Sequence, residues 1–517
     1  MLSRVLSAAL FGIEATLVRV EVHGSAGLPA VSTVGLPDSA VRESRERVRS
    51  AILNSGYTYP QKRLTVNLAP ADIRKVGSSL DLPVAVAIVA LNEKDLIGPI
   101  QENAIMMGEL SLDGSVRPVP GTLSVALKAR ALGIPRLLVP AANAREAAMV
   151  SGVEVIPVAT LAEAVSILNG GAAAVASSSV AADGPAIDLL LAQAGAWCIN
   201  MSDVRGQTVA RRALEVAAAG GHNILMMGPP GAGKTMLARR LPTILPPLTV
   251  EEAIEVTRIH SAAGRGIASG LVAQRPFRAP HHTASDVSLV GGGGGSHGAR
   301  PGEASLAHHG VLFLDEMPEF HRHVLEVLRQ PLEDGFVTVA RAARSLRYPA
   351  AFMLAGAMNP CPCGYLGDRS RECSCTPPMV TRYRSRVSGP LLDRIDMHVE
   401  VPAVAYREMS SEESGEPSDA IRFRVVAARE RQRERAGGYG CNARMPSPLL
   451  RKHCGLDAAG RKLLEQAVTK LGLSARAHDR VLKVARTIAD LEVSDRIATA
   501  HLAEAIQYRG LDRAGQS

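Results

Sequence analysis

The sequence predicts a multidomain α/β protein, with an α+β unit at the N-terminus, a phosphate-loop α/β unit in the middle and a helical unit at the C-terminus. Three observations predict it. The 517 residues exceed what one hydrophobic core serves, so about two to four domains are expected. Near the middle, a glycine-rich loop ending in Lys-Thr separates an apolar run from a helical pattern, the order of strand, phosphate loop and helix. Beyond residue 420 the apolar spacing is that of successive helices, which together read as a small bundle.

Composition bounds the rest. Apolar residues make up 46% of the chain and aromatics 3%, so leucine, valine, isoleucine and alanine must fill the cores. Lys plus Arg number 58 against 50 Asp plus Glu, a formal charge of +8, which suits a polyanion partner without demanding one. The sequence holds no run of about 18 apolar residues, and Met1-Leu-Ser-Arg-Val lacks the basic, apolar and cleavage regions of a secretory signal. A cytoplasmic location without a membrane partner is expected. Seven cysteines in so long a chain are no disulfide scaffold.

The N-terminal unit is placed at residues 1–168. Residues 18–22 and 64–68 have strand character. Residues 38–52 read as a helix with Asp38 as N-cap and Glu43 and Glu46 near its start, 83–91 as a buried helix, and 122–132 as a helix closed by Gly133. Residues 169–186, Asn-Gly-Gly-Ala-Ala-Ala-Val-Ala-Ser-Ser-Ser-Val-Ala-Ala-Asp-Gly-Pro-Ala, offer nothing large to bury and are expected to form a flexible linker.

The central unit spans 187–400. Gly228-Pro229-Pro230-Gly231-Ala232-Gly233-Lys234-Thr235 matches the phosphate-loop pattern at every fixed position, behind an expected strand at 223–227 and ahead of an expected helix at 236–240. Glycines let successive N–H groups turn towards one point, where they and the helix N-terminus hold the phosphate oxygens of ATP. Lys234 is expected on the β- and γ-phosphates and the Thr235 hydroxyl on Mg²⁺. Gly310-Val-Leu-Phe-Leu-Asp315-Glu316 reads as a buried strand ending in two carboxylates, a Walker B pattern. Asp315 would hold Mg²⁺ through its water shell, and Glu316 would orient and deprotonate the attacking water. A third strand at 350–357 delivers Asn359 to a sensor position near the γ-phosphate. Residues 337–348 read as a hairpin carrying Arg341, Arg344 and Arg347, and 263–302 form a long segment with His281, His282 and a glycine run at 291–295.

Cys361-Pro-Cys363 and Cys373-Ser-Cys375 form two close pairs. Four thiolates can make a tetrahedral Zn²⁺ site that clips an irregular loop. The C-x-C spacing, tighter than C-x₂-C, leaves a reduced, metal-free loop open as the alternative. In the C-terminal unit, 401–517, an acidic loop at 410–419 precedes a helix at 420–436 with Arg422, Arg424, Arg429, Arg431, Arg433 and Arg435, read either as a solvated face or as a nucleic-acid surface. Further helices are expected at 463–471, 475–491 and 497–508, with Ser474 capping the second of these.

Together these stretches resemble the YifB/ComM family of magnesium-chelatase-like ATPases, of the AAA+ class, along nearly the whole chain. The motifs are Gly-Pro-Pro-Gly-Ala-Gly-Lys-Thr, Leu-Phe-Leu-Asp-Glu, Met-Asn-Pro-Cys-Pro-Cys-Gly-Tyr, Gly-Pro-Leu-Leu-Asp-Arg-Ile-Asp and Ser-Ala-Arg-Ala-His-Asp-Arg. The resemblance implies a homo-hexameric ring that hydrolyses ATP with Mg²⁺. It would act on single-stranded or branched DNA as a branch-migration motor in natural transformation and homologous recombination, beside other recombination proteins. It makes Arg394 a finger on the neighbouring subunit's nucleotide, a role that a forked guanidinium suits, with an Arg-Asp surface pair as the alternative reading. Arg476 takes the sensor-2 position of the helical lid, with Arg480 as the alternative, and Asp203-Val-Arg-Gly206-Gln207 lies beside the adenine. In a ring the insertion and the hairpin would face the pore, where Arg341, Arg344 and His281 or His282 could touch phosphates.

In the N-terminal unit, Lys75-Val-Gly77-Ser-Ser79-Leu and residues 108–119 resemble the proteolytic domain of Lon-type proteases, with its ribosomal-S5-like fold and lysine-activated serine. Ser79 takes the serine's place. Val125 stands where the lysine is expected and Lys128 lies a helical turn on, so the nucleophile lacks its base. Two alternatives to the DNA motor remain in this reading: a chelatase-type ATPase remodelling a protein partner, and a Lon-like protease.

Overall fold

The computed structural model describes residues 1–36, 38–71, 75, 77–92, 103–178, 191, 197–265, 270–293, 299–340, 345–368, 371–404, 414–436 and 440–510. In the N-terminal part, β1 (Leu2–Phe11), β2 (Glu14–Ser25), β3 (Ala30–Val34), β4 (Arg63–Ala69), β5 (Ala104–Met106), β6 (Arg136–Pro140) and β7 (Glu154–Val158) build a seven-stranded mixed sheet in the order β3-β4-β2-β1-β5-β6-β7. β1 and β2 pair antiparallel from Leu2 opposite His23 to Phe11 opposite Glu14, around a turn in which Gly12 takes φ 69°. The sequence marked β2 and β4 and missed the other five strands, β1 among them. Serine and alanine carry little strand preference, and the pairing with β2 decides its state. The expected helices appear as α1 (Ser39–Asn54), α2 (Asp81–Asn92) and α3 (Thr122–Ala131). Asp38 caps α1 by accepting the Val41 N–H at 2.8 Å, and α2, apolar on all sides, is buried within the sheet's core cluster.

α4 (Leu161–Ser178) corrects one expectation, since it continues well into the stretch read as a flexible linker. Gly170 and Gly171 cost about 1 kcal/mol each within a helix, but the chain has already nucleated at Leu161 and the alanines that follow are the strongest helix formers. Residues 179–186 lie outside the described residues.

The central sheet is all parallel. α5 (Thr208–Gly220) leads to β8 (Ile224–Met227), followed by α6 (Lys234–Ile244), α7 (Val250–Ala262), β9 (Phe277–Arg278), β10 (Val311–Leu314), the antiparallel hairpin β11 (Phe336–Ala340) and β12 (Ser345–Pro349), β13 (Met353–Met358), α8 (Pro377–Arg384) and β14 (Met397–Glu400). The sheet order is β9-β10-β13-β8-β14. Alternate residues of each strand enter different cores: Ile224, Met226, Val311 and Phe313 face one, Leu225, Met227, Leu312 and Leu314 the other. Burial on both faces is why these strands read as unbroken apolar runs. Arg341 and Arg344 lie outside the described residues.

α9 (Ser418–Ala436), α10 (Ala458–Leu471), α11 (Ala475–Leu491) and α12 (Thr499–Gln507) share one core with α5 and β8, through Ile421, Val425, Val481, Ala485 and Ile488. The arginine-rich face of α9 is largely committed within the chain. Arg422 bonds Asp419 and the Thr243 carbonyl, Arg424 bonds Glu215 and Glu416, Arg429 bonds the Ala218 carbonyl, and Arg435 bonds Asp490.

The turn between β1 and β2 docks on the central part. Ile13 packs with Ile259 of α7, Leu306, and Leu346 and Tyr348 of β12. Its carbonyl accepts Ser124 Oγ at 2.6 Å and Arg258 at 3.3 Å, while the Gly121 N–H donates to Ser261 Oγ at 2.8 Å. Among the described residues no helix is long and apolar enough to cross a membrane.

Candidate nucleotide site

β8 ends where the loop needs glycine. A Cβ on Gly228 would sit 2.0 Å from the Val401 carbonyl oxygen, whereas one on Gly231 would meet nothing within 4 Å. Gly231 and Gly233 take φ 78° and 89°, conformations that favour glycine, and α6 begins directly at Lys234. The loop therefore turns its backbone around open space at the start of a helix.

Lys234 folds back over that loop, donating to the Gly228 and Pro229 carbonyls at 2.6 and 2.9 Å and to Asn359 Oδ1 at 3.1 Å. Burial pulls its pKa below the ordinary lysine value, with Asp315 and Glu316 pulling the other way. Thr235 Oγ1 donates to Asp315 Oδ2 at 2.6 Å, and the Glu316 N–H donates to Asp315 Oδ1 at 2.9 Å. Glu316 itself takes φ 48°, a left-handed turn that costs about 1 kcal/mol or more in a side-chain-bearing residue. Residues from three parallel strand ends, separated by up to 125 positions, thus meet at one edge of the sheet, the place where ligands sit in such folds. A hydroxyl and a carboxylate are the hard oxygen donors that Mg²⁺ takes, and the open loop with its lysine suits a polyphosphate.

Two neighbours make contacts that the sequence did not predict. His282 Nδ1 stands 3.7 Å from Glu316 Oε2, with its ring edge-on to Phe320, where the sequence had offered it to a pore. Gln207, in a left-handed turn of φ 53°, bridges the loop's Ala232 carbonyl at 3.2 Å and the Pro402 carbonyl at 2.6 Å, and so fixes the segment expected beside the adenine.

Arg394 is 4% exposed. It pairs with Glu333 of the short helix Arg329–Asp334 and donates to the Pro390 carbonyl at 2.6 Å. Arg476, 63% exposed along its side chain, approaches the same Glu333 at 3.9 Å, so the two arginines lie on one side of the molecule. Arg480, the alternative to Arg476, is engaged elsewhere, 2.7 Å from the buried Asp396. The four cysteines 361, 363, 373 and 375 cluster directly behind Asn359.

A second group of metal-ligating type, Glu255, His308 and His309, is closed by the protein itself. His308 Nδ1 accepts the Ala351 N–H at 2.9 Å and its Nε2 faces Glu255 at 3.1 Å, leaving no lone pair for an ion. In the N-terminal part, Ser79 gives its carbonyl to the Gly108 N–H, and Val125 is fully buried in α3. Among the described residues no base bonds the Ser79 hydroxyl.

The parallel sheet, the phosphate loop and the paired carboxylates at the end of the neighbouring strand define a P-loop ATPase of the AAA+, magnesium-chelatase type. Family models described as magnesium chelatase subunit ChlI, subunit ChlI of Mg-chelatase, and the C-terminal part of magnesium chelatase subunit ChlI match residues 200–409, 20–143 and 415–509. The chain is 45% identical over 508 residues to the protein YifB of Salmonella typhimurium, covering 98% of this chain and 96% of the relative. It is 43% identical over 514 residues to the competence protein ComM of Haemophilus influenzae, covering 99% and 98%. The magnesium-chelatase 38 kDa subunit of Acidiphilium rubrum is 30% identical over 180 residues, 30% of this chain and 51% of that one. The chain belongs to the YifB/ComM family of magnesium-chelatase-like ATPases, a family that implies ATP and Mg²⁺.

Proposed function

We propose that this chain is an ATP-driven ring motor that moves single-stranded or branched DNA in the cytoplasm, as a branch-migration helicase of transformation and homologous recombination. The observation that carries it is the meeting of Lys234, Thr235, Asp315, Glu316 and Asn359 at one strand edge, in a chain related over its whole length to a competence protein. The working units are residues 1–168, 187–400 and 401–517, joined by 169–186. In this reading the N–H groups of residues 228–235 orient the phosphates, and Lys234 exchanges its carbonyl partners for phosphate oxygens. Thr235 and Asp315 hold Mg²⁺, which when bound neutralises phosphate charge. Glu316 takes the proton of the attacking water, and Asn359 positions it. Arg394 leaves Glu333 to reach the neighbouring subunit's nucleotide in a homo-hexamer, and Arg476 acts from the same side. Arg341, Arg344 and His281 or His282 contact DNA phosphates beside other recombination proteins. A thiolate-bound Zn²⁺ at Cys361, Cys363, Cys373 and Cys375 accompanies Mg²⁺ and ATP.

The second reading, remodelling of a protein partner, is favoured by one observation: four of the six arginines of α9 are bonded within the chain, which removes the largest basic helix from a DNA surface. ATP turnover with and without forked DNA, across a salt series and beside the oligomer mass in ATP, separates the two. A DNA motor is stimulated by DNA, and the stimulation decays steeply with salt as phosphate contacts release counterions. Stimulation by a protein such as casein, with none by DNA, selects remodelling.

A further inference from the structure

The segment between Asn359 and α8 is short of large buried side chains among its described residues, yet it lies against the nucleotide loop. Its four cysteines are free thiols, with Cys361 fully buried. Cys361 Sγ lies 3.3 Å from Cys363 Sγ and 3.6 Å from Cys373 Sγ, Cys363 and Cys373 are 3.5 Å apart at sulfur, and all four sulfurs fall within 4.8 Å of one another. A tetrahedral ZnS₄ centre with bonds of about 2.3 Å has sulfur–sulfur edges of about 3.8 Å, close to this spacing. Backbone N–H groups point at two of the sulfurs, Cys363 N to Cys375 Sγ and Cys375 N to Cys373 Sγ, each 3.4 Å. Donors of this kind support thiolate ligands from outside the coordination shell.

The surroundings show what an ion here would hold. Cys361 follows Asn359-Pro360 immediately. Gly364, at φ 88°, packs so closely on the phosphate loop that a Cβ there would lie 2.6 Å from Pro230 Cδ. Cys375 leads through Thr376 into α8, whose Arg384 donates to the Pro360 carbonyl at 3.0 Å and whose Tyr383 hydroxyl meets the backbone of Asn359. The chain therefore leaves residues 359–360 and returns to them, and the two cysteine pairs stand where that circuit closes.

We propose that Cys361, Cys363, Cys373 and Cys375 hold one Zn²⁺, and that this ion braces Asn359 and Pro230 so that the sensor and the phosphate loop keep their working geometry. The brace rests on the reading of residues 228–235 and Asn359 as the nucleotide site, while the ion's presence does not depend on it. Because such a loop gains its order from metal binding, releasing the ion loosens Asn359 and slows hydrolysis rather than unfolding the sheet.

The test uses the full chain purified under reducing conditions. Elemental analysis is expected to find one zinc per chain, and exchange for Co²⁺ to give the thiolate charge-transfer band and d–d bands of a tetrahedral site. Stripping zinc from the wild-type protein is expected to lower ATP turnover about tenfold or more, a loss in keeping with displaced reacting groups. Circular dichroism stays unchanged, and adding Zn²⁺ restores the rate. The Cys373→Ser, Cys375→Ser double variant should carry no zinc and show the same slow turnover. A zinc-free protein with four titratable thiols overturns the site. Stoichiometric zinc whose removal leaves turnover unchanged overturns the brace. A Lys234→Ala protein that keeps its zinc while losing nucleotide separates this proposal from the nucleotide reading.

Discussion

Lys234 donates to two carbonyls of its own loop and to Asn359, so every partner of its ammonium belongs to the nucleotide site. Lys234→Ala is expected to abolish binding of a fluorescent ATP analogue while leaving the melting temperature within a few degrees. Glu316→Gln should bind the analogue with wild-type affinity and hydrolyse about 10²- to 10⁴-fold more slowly, the range for a lost general base; normal turnover would remove Glu316 from that role. His282→Ala is expected to lower kcat about tenfold with little change in KM, because the imidazole stands beside the Glu316 carboxylate. The first two residues were legible because a phosphate loop and a strand ending in Asp-Glu are local patterns. His282 was not, since its approach to Glu316 depends on the parallel pairing of β9 with β10, which no run of neighbouring residues encodes.

Individual helices and strands were read best where their periodicity was strong. α1, α3 and α11 appear nearly as the spacing predicts, with Asp38 and Ser474 as the caps expected of them. Among the elements that escaped, β1 and α4 did so for opposite reasons: β1 lacks residues with a clear strand preference, and the glycine pair in α4 hid the alanines behind it. α9 shows a third kind of failure, in which a charge pattern is visible but its partners are not. Arg435 faces Asp490, itself 3% exposed. Arg435→Ala should cost about 1–3 kcal/mol, partly offset because Arg486 and Asn442 still bond Asp490. Denaturant unfolding will register that loss, and DNA stimulation of turnover at a permissive temperature should be unaffected.

For the molecule as a whole, buried histidines set an acid limit. Desolvation holds His308 down to about 4 and His398 down to about 3, against about 6.5 in an unfolded chain. As pH falls from about 6.5 to about 4, the unfolded chain binds these protons first, so stability is lost over that window by up to about 1.4 kcal/mol per pH unit for each histidine. Melting temperatures measured across it should fall steadily, with a shallower slope in His308→Gln.

The seat of Ile13 among Ile259, Leu346 and Tyr348 bears on how the two halves of the chain stay together. Their cohesion is noncovalent as well as covalent, because the peptide between residues 178 and 197 is not their sole connection. A protease site engineered into that stretch should yield, after scission, two fragments that co-elute on gel filtration. An Ile13→Asp substitution should let them part.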